Sequence, residues 1–228
     1  MRCRQVMLKK LKKMKILYYD CFSGISGDMN LGALLDLGVS SEILTDGLQK
    51  LNTGGWKLDI SRDQRHGITG TKVTVITDHN DHEHTYGNAH DHDHHHDHEF
   101  NHGHNHKHDH QHNHEHRYDH QHEHRNLADI EKIIKGSGLP APVSDLAMKI
   151  FRHIAEAEAA VHDKPLHEIH FHEVGAIDSI VDIVGAAICL NELGADRVYV
   201  SEIELGSGMV RCQHGLLPVP APATARII

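Results

Sequence analysis

A histidine-rich tract without aliphatic side chains divides this 228-residue chain into two parts. No Leu, Ile, Val, Met or Cys occurs within residues 78–126, whereas the flanking segments 14–77 and 127–228 are rich in apolar residues. With so few apolar side chains to bury, the tract cannot offset the entropy that it would lose on ordering. We therefore expect a disordered insert, and the flanking segments can each bury a core or share one.

The apolar patterns of the two flanks predict a mixed α/β fold of the α+β kind, a small strand–helix sandwich interrupted by the insert. The predicted strands are Ile16–Phe22, Trp56–Arg62, Thr71–Thr77, His167–Val174 and Val198–Leu205. The predicted helices are Met29–Leu37, a second one ending near Leu51, Leu127–Lys135, Val143–Val161, Asp178–Leu193 and a short start at Ala223–Ile228. Because a helix joins the last two strands, we expect a parallel crossover there.

The two ends of the chain lead to further expectations. Residues 1–13 precede Met14 and a sequence that begins directly with a strand, so we expect them to be an N-terminal extension with little structure. The helix start at residues 223–228 is short for the end of a domain. We therefore expect the second segment to be truncated at its C-terminus.

The composition argues against several classes of function. The formal net charge is −9 with every histidine neutral. About a quarter of histidines with an ordinary pKa carry a proton at pH 7, which brings the real charge near zero. The sequence indicates neither a nucleic-acid surface nor a membrane span. Its four cysteines are widely separated, which is typical of a cytoplasmic protein, and it leaves the oligomeric state open, a homo-oligomer included.

The histidine tract itself predicts metal binding. Neutral imidazole is the commonest metal ligand, and the interleaved Asp and Glu residues add oxygen donors. At three to four ligands per ion, the tract can hold on the order of five ions. A solvated spacer is the alternative, and copper and zinc compete with nickel for such ligands. The twenty candidate ligands are His79, His82, His84, His90, His92, His94, His95, His96, His98, His102, His104, His106, His108, His110, His112, His114, His116, His120, His122 and His124.

A second candidate metal site follows the longest predicted helix. On a strand, Glu168, His170 and His172 would share one face, and two imidazoles with a carboxylate form half of a divalent metal site. A polar sheet face at the surface is the alternative. In the next helix, we expect Asp178 to serve as the N-terminal cap. Asp182 lies among apolar residues, where an unpaired carboxylate is costly, so it needs a metal or a histidine as its partner.

The loop at residues 23–28 joins a predicted strand to a helix N-terminus, with Asp28 or Asn30 as the expected cap. Backbone amides in such a loop can hold a phosphate or a carboxylate, although a plain tight turn fits the glycines equally well. Cys21 precedes the loop as a possible thiolate ligand or as a buried thiol.

Three segments of the chain resemble the nickel insertion protein family. They are Tyr19–Met29, Phe171–Asp182, and His214-Gly215 together with Pro218–Thr224. These motifs are long and specific, and they extend from about residue 15 to the last residue. The histidine tract falls where family members carry a variable histidine-rich insert.

The resemblance implies a nickel chelatase, a lyase-type enzyme that makes the nickel-pincer cofactor of lactate racemase. Its substrate would be a pyridinium bisthiocarboxylate mononucleotide, with nickel inserted between the two sulfurs and bonded to a ring carbon. Family members use CTP with Mn or Mg through a C-terminal domain, which in some members is joined by ribosomal frameshifting. The resemblance therefore implies an N-terminal component that needs the C-terminal component, with the lactate racemase apoenzyme as downstream acceptor.

Within that framework the candidate residues divide by role. The residues expected to cradle the nucleotide phosphate are Ser23, Gly24, Ser26, Gly27 and Asp28. The residues expected to hold nickel before its transfer are His170, His172, Glu173, Asp178 and Asp182, with Cys21 as a soft ligand. A nickel metallochaperone or storage protein without catalysis remains the alternative.

Overall fold

The structure, a computed structural model, describes residues 14–77, 125–171, 174–212 and 215–228. The predicted N-terminal extension and nearly all of the predicted insert lie outside these ranges. Arg125 and Asn126, which the sequence assigned to the insert, belong to the fold, because they form a short strand that pairs with a later one.

The described residues form six helices and eight strands. The strands are β1 Ile16–Tyr19, β2 Trp56–Arg65, β3 Ile68–Thr77, β4 Arg125–Asn126, β5 His170–Phe171, β6 Arg197–Val200, β7 Met209–Cys212 and β8 Gly215–Pro218. The helices are α1 Gly27–Asp36, α2 Ser41–Gln49, α3 Leu127–Gly136, α4 Ala141–His162, α5 Ile177–Leu193 and α6 Pro222–Ile227. This arrangement confirms the predicted mixed α/β class.

The strands of the described ranges pair two by two. Strands β2 and β3 form a ten-residue antiparallel hairpin, and β7 and β8 form a second one. Strand β4 pairs antiparallel with β5, and β1 pairs parallel with β6 in the register Ile16 to Arg197. The predicted parallel crossover around α5 is therefore wrong, because β6 pairs with the first strand of the chain instead of with β5.

The predicted strand His167–Val174 is largely wrong. Residues Leu166–Glu168 form a 3₁₀ turn after Pro165, and the strand that follows has two residues. The alternation itself is real, since Ile169 and Phe171 are buried while His170 is exposed. A strand needs a partner as well as alternation, and within the described ranges only β4 pairs with this one.

One core is shared by the two segments that flank the histidine tract. Leu31, Leu34 and Leu44 from the first segment pack in the same cluster as Phe151 and Ile180 from the second. Helix α5 lies in the middle of this cluster, where it contacts α1, α2, α4 and β3. Its apolar sequence follows from that position, because a helix surrounded by other elements has little face left for water.

Candidate functional site

Three carboxylates lie where α1 and α5 begin. Asp28 is in the first turn of α1, and Asp178 is in the first turn of α5. Asp182 follows Asp178 by one helical turn, on the same side of α5. The two helices pack against each other, so residues far apart in sequence meet at their N-termini. Asp28, Asp178 and Asp182 are called the carboxylate cluster below.

Gly27 allows α1 and α5 to pack closely at the carboxylate cluster. A Cβ atom on this residue would overlap the Asp182 carboxylate and would lie 2.7 Å from the Asp182 Cβ. Real Cβ contacts are not this short, so a side chain at position 27 would push the two helices apart. The sequence assigned Gly27 to a phosphate cradle, and the structure gives it a packing role between α1 and α5. Sequence reasoning did not predict this contact.

Asp182 is the unusual member of the cluster. Its Oδ1 atom is buried and has no hydrogen-bond partner within the described ranges. Burial, together with the smaller effects of the negative charges of Asp28 and Asp178, raises the pKa of the Asp182 carboxyl to about 6. A buried carboxylate without a donor is costly, so this position favours a proton or a cation beside it. Within the described ranges, no histidine forms the expected hydrogen bond to this atom.

A tight turn leads from β1 toward the cluster. The Cys21 carbonyl accepts hydrogen bonds from the Gly24 amide at 3.0 Å and from the Glu204 amide at 3.1 Å. Gly24 has a φ of 80°, and a Cβ on it would lie 3.1 Å from the Glu204 carbonyl oxygen. Position 24 therefore requires glycine both for its left-handed backbone and for the close approach of the segment after β6.

Helix α1 begins without the cap that the sequence predicted. The N-terminal cap position is Ser26, and no side chain there accepts from a backbone amide. The Ser26 hydroxyl instead donates to the Asp28 carboxylate, and Asn30 donates its amide to the Ser26 carbonyl at 2.9 Å. No side chain caps the first amides of α1, and uncapped amides are what an anion site at a helix N-terminus requires. A phosphate bound here would face Asp28 and Asp182, so it needs a cation between them.

Asp178 is likewise not the cap of α5. The cap position is Ala176, which has no side chain able to accept, and the helix starts at Ile177. Asp178 accepts from the Ser179 amide at 2.7 Å and stays exposed. Its carboxylate in the first turn interacts favourably with the helix dipole.

Cys21 is the second residue after β1. It is 3% exposed, and its amide donates to the Ser201 hydroxyl at 2.8 Å. The neighbouring Tyr19 hydroxyl donates to Asn30 at 2.9 Å. Burial raises the pKa of Tyr19, and the charges of Cys189 and Cys21 raise it further, which places both thiols near this phenol. Of the two readings left open for Cys21, the structure shows the buried thiol.

The predicted histidine face does not form as expected. His170 is exposed on β5 opposite Asn126, while Glu168 ends the 3₁₀ turn and lies 3.8 Å from the His167 ring. Glu168 and His170 therefore do not share a strand face. His172 and Glu173 lie outside the described residues, as do the twenty histidines of the tract.

A complete metal site is not contained in the described ranges. Across residues 14–77, 125–171, 174–212 and 215–228, no three His, Cys, Asp or Glu side chains are arranged to hold a metal ion. The carboxylate cluster thus supplies negative charge and one unpartnered oxygen, short of a finished coordination sphere. Among the helices described, none is long and apolar enough to cross a membrane.

Comparisons with known proteins bear on this site. A family model described as "Nickel insertion protein" matches residues 17–228. A pyridinium-3,5-bisthiocarboxylic acid mononucleotide nickel insertion protein of Clostridium acetobutylicum is 55% identical over 94% of this chain and 50% of its own length. Proteins of the same name from Clostridium kluyveri and Akkermansia muciniphila are 49% and 46% identical, over 47% and 44% of their lengths.

The chain thus spans about half the length of the curated relatives that it matches. No solved structure matches it. Because the family model covers the chain from β1 to its last residue, the two α/β segments and the cluster between them fall within the match. The chain belongs to the nickel insertion protein family.

Proposed function

We propose that this chain inserts nickel into pyridinium-3,5-bisthiocarboxylic acid mononucleotide, as an enzyme of the metal-chelatase type. The names of relatives up to 55% identical support this substrate. The structural observation that carries the proposal is the buried Asp182 oxygen, which has no hydrogen-bond partner within the described ranges. Asp28 and Asp178 lie near it, and all three residues belong to segments that resemble the family. Such a position favours a divalent cation, and nickel is the cation that this family handles.

The carboxylate cluster would receive nickel and hold it loosely. Oxygen ligands bind Ni²⁺ less tightly than nitrogen or sulfur ligands do, so an ion on Asp182 is free to move on. His170, His172 and Glu173 would complete the coordination before transfer. The thiocarboxylate sulfurs of the substrate are softer donors, which makes the transfer favourable. Cys21 would take part only after an opening of the fold, because its thiol is buried.

The remaining parts of the proposal concern partners. A C-terminal component would bind CTP with Mn or Mg, and this chain would work together with it in the cytoplasm. The product would be the nickel-pincer cofactor, and the lactate racemase apoenzyme would be its acceptor. The histidine tract would act as a local nickel store, raising the concentration of the ion near the cluster.

An insertion assay tests the proposal. The purified chain is mixed with the mononucleotide and Ni²⁺, with and without the C-terminal component and CTP, and the nickel-bound nucleotide is followed by mass spectrometry. Asp182→Asn should lower the rate by about a hundredfold, since it removes a buried charge from the path of the metal. The matched control is Asp46→Asn, at an exposed position on α2. Equal loss in both variants, or in neither, would remove the cluster from the mechanism.

A storage protein or metallochaperone without catalysis is the second candidate. The observation in its favour is the tract of twenty histidines, which exceeds the needs of a single insertion site. Deletion of residues 79–124 separates the two. If the deleted protein still inserts nickel when the ion is saturating, the folded part contains the site. If insertion is lost even then, delivery by the tract is the essential role.

A further inference from the structure

A cavity that the proposed function has not used lies on α4. Its volume is about 490 Å³, and it is enclosed by the C-terminal half of α4, by β5, by the β7–β8 hairpin and by α6. The walls are mostly apolar. The side chains that form them include Ile154, Val161, Phe171, Val174, Leu217 and Ala223.

Charged groups of both signs border the cavity. Glu158 and His162 lie one turn apart on α4, with the His162 Nε2 atom 3.5 Å from the Glu158 carboxylate and about three quarters of each side chain buried. Arg211 comes from β7. The cavity therefore offers an apolar space with a carboxylate on one side of its lining and a guanidinium on another element.

Two of the three segments that resemble the family meet around this cavity. Phe171 and Val174 belong to the segment that ends at Asp182, and Ala221–Thr224 belong to the segment at the end of the chain. The segment at the end of the chain contributes no residue to the carboxylate cluster, but it does contribute to the cavity wall. The other segment continues from the cavity to Asp178 and Asp182.

These features fit one class of ligand. A pyridinium mononucleotide has a flat cationic ring and anionic groups at the ring and at the phosphate. Apolar walls accept the ring, a carboxylate complements its positive charge, and a guanidinium binds carboxylate or phosphate oxygens through paired hydrogen bonds. Ligand pockets of this kind commonly enclose about 300–1,000 Å³, a range that includes this cavity.

We propose that the cavity is the binding site for the pyridinium mononucleotide, with its ring between the apolar walls, Glu158 near the ring and Arg211 on an anionic group. This inference rests on the proposed function, because that function defines the substrate class. It adds a site distinct from the carboxylate cluster: the cavity holds the organic part and the cluster holds the ion.

Binding of nicotinic acid mononucleotide, a pyridinium mononucleotide with one carboxylate, tests the inference by titration calorimetry on the full chain. Ala223→Leu places a larger side chain at the cavity wall, and Ala225→Leu on the same helix, outside the lining, is its control. Arg211→Gln removes the guanidinium, and Arg226→Gln on α6 is the control for loss of charge. Circular dichroism verifies that each variant is folded.

We expect Ala223→Leu and Arg211→Gln each to weaken binding by about tenfold or more, while both controls bind as the unchanged chain does. Equal binding by the cavity variants and their controls, or no binding to the unchanged chain, would overturn the inference. The nickel insertion assay is independent of this result. If the chain inserts nickel but the cavity variants bind the nucleotide as their controls do, the proposed function stands and the cavity is not the binding site. If the cavity variants weaken binding but the chain does not insert nickel, the cavity is a nucleotide site and the proposed function is wrong.

Discussion

The carboxylate cluster and the cavity on α4 differ in how their charges are compensated. In the cluster, Asp182 has a buried oxygen without a hydrogen-bond partner in the described ranges, and its nearest charged neighbours are also negative. In the cavity, Glu158 faces His162, and Arg211 adds a positive charge. The first region favours a proton or a cation beside Asp182, whereas the second has groups of opposite charge and room for an organic molecule.

This difference suggests a division of work along one short segment. Residues 171–182 run from the cavity wall at Phe171 and Val174 to Asp178 and Asp182 in the cluster. A chelatase must hold an ion and an organic substrate with separate groups and then bring them together. Under the proposed function, Phe171 and Val174 would border the organic substrate, while Asp178 and Asp182 would border the ion.

Substitution at Gly27 should have the largest effect on the cluster. In Gly27→Ala the added Cβ collides with Asp182, and overpacking of this kind costs about 1–3 kcal/mol of unfolding free energy. Gly54→Ala is the control, because a Cβ at position 54 meets no atom within 4 Å. Urea denaturation compares the two. If Gly27→Ala lowers the free energy of unfolding as much in an Asp182→Gly background, which lacks the Asp182 Cβ, as it does in the unchanged chain, the contact between these residues is not the cause.

The pH dependence of stability should be smaller in Asp182→Asn. The folded-state pKa of Asp182 is raised to about 6 from 3.8, so the folded chain binds this proton more tightly than the unfolded chain does. Its favourable contribution is therefore complete below pH 3.8 and is lost as the pH rises through about 6. Metal-free Asp182→Asn should thus gain in Tm over the unchanged chain at pH 8 and differ less at pH 4.

Equal Tm differences between the two proteins at pH 4 and pH 8 would contradict this assignment of the pKa. Asp46→Asn, at an exposed position, is the control for the loss of one negative charge. Its Tm should follow that of the unchanged chain at both pH values.

Filling the cavity should have the smallest effect on stability. Ala223→Leu extends into open space, in contrast to Gly27→Ala, so the free energy of unfolding should change by no more than about 0.5 kcal/mol. Urea denaturation with Ala225→Leu as the control measures the difference. A loss as large as that of Gly27→Ala would show that the cavity is already tightly packed, and the contrast between the two regions would disappear.

The sequence predicted the parts of this fold that depend on local chemistry. The apolar run of α5 and its end at Gly194, whose φ is 57°, were both predictable from composition and from glycine at the C-terminal end. The need of Asp182 for a partner also followed from its apolar neighbours in sequence. Three sequence motifs are enough to indicate the nickel insertion family.

What depends on tertiary contact was not predictable. The contact of Gly27 with Asp182 arises from the packing of two helices from opposite sides of the histidine tract. The sequence around either residue contains no pattern that indicates this contact. The pairing of β6 with β1 joins strands from opposite sides of the histidine tract, so the local sequence of β6 does not indicate it. Strand β5 is short because Pro165 precedes a 3₁₀ turn and β4 offers two residues for pairing. The cavity likewise needs α4, the β7–β8 hairpin and α6 together.

Nickel binding by the folded part of the chain decides whether the carboxylate cluster receives the metal ion. It can be measured by titration calorimetry on a chain in which a flexible Gly/Ser linker replaces residues 79–124, so that the histidines of the tract do not contribute to the signal. We expect this protein to bind nickel, Asp182→Asn to weaken the binding by about tenfold or more, and Asp46→Asn to leave it unchanged. Nickel binding of the same strength in the Asp182→Asn variant, or none in the parent protein, would contradict it.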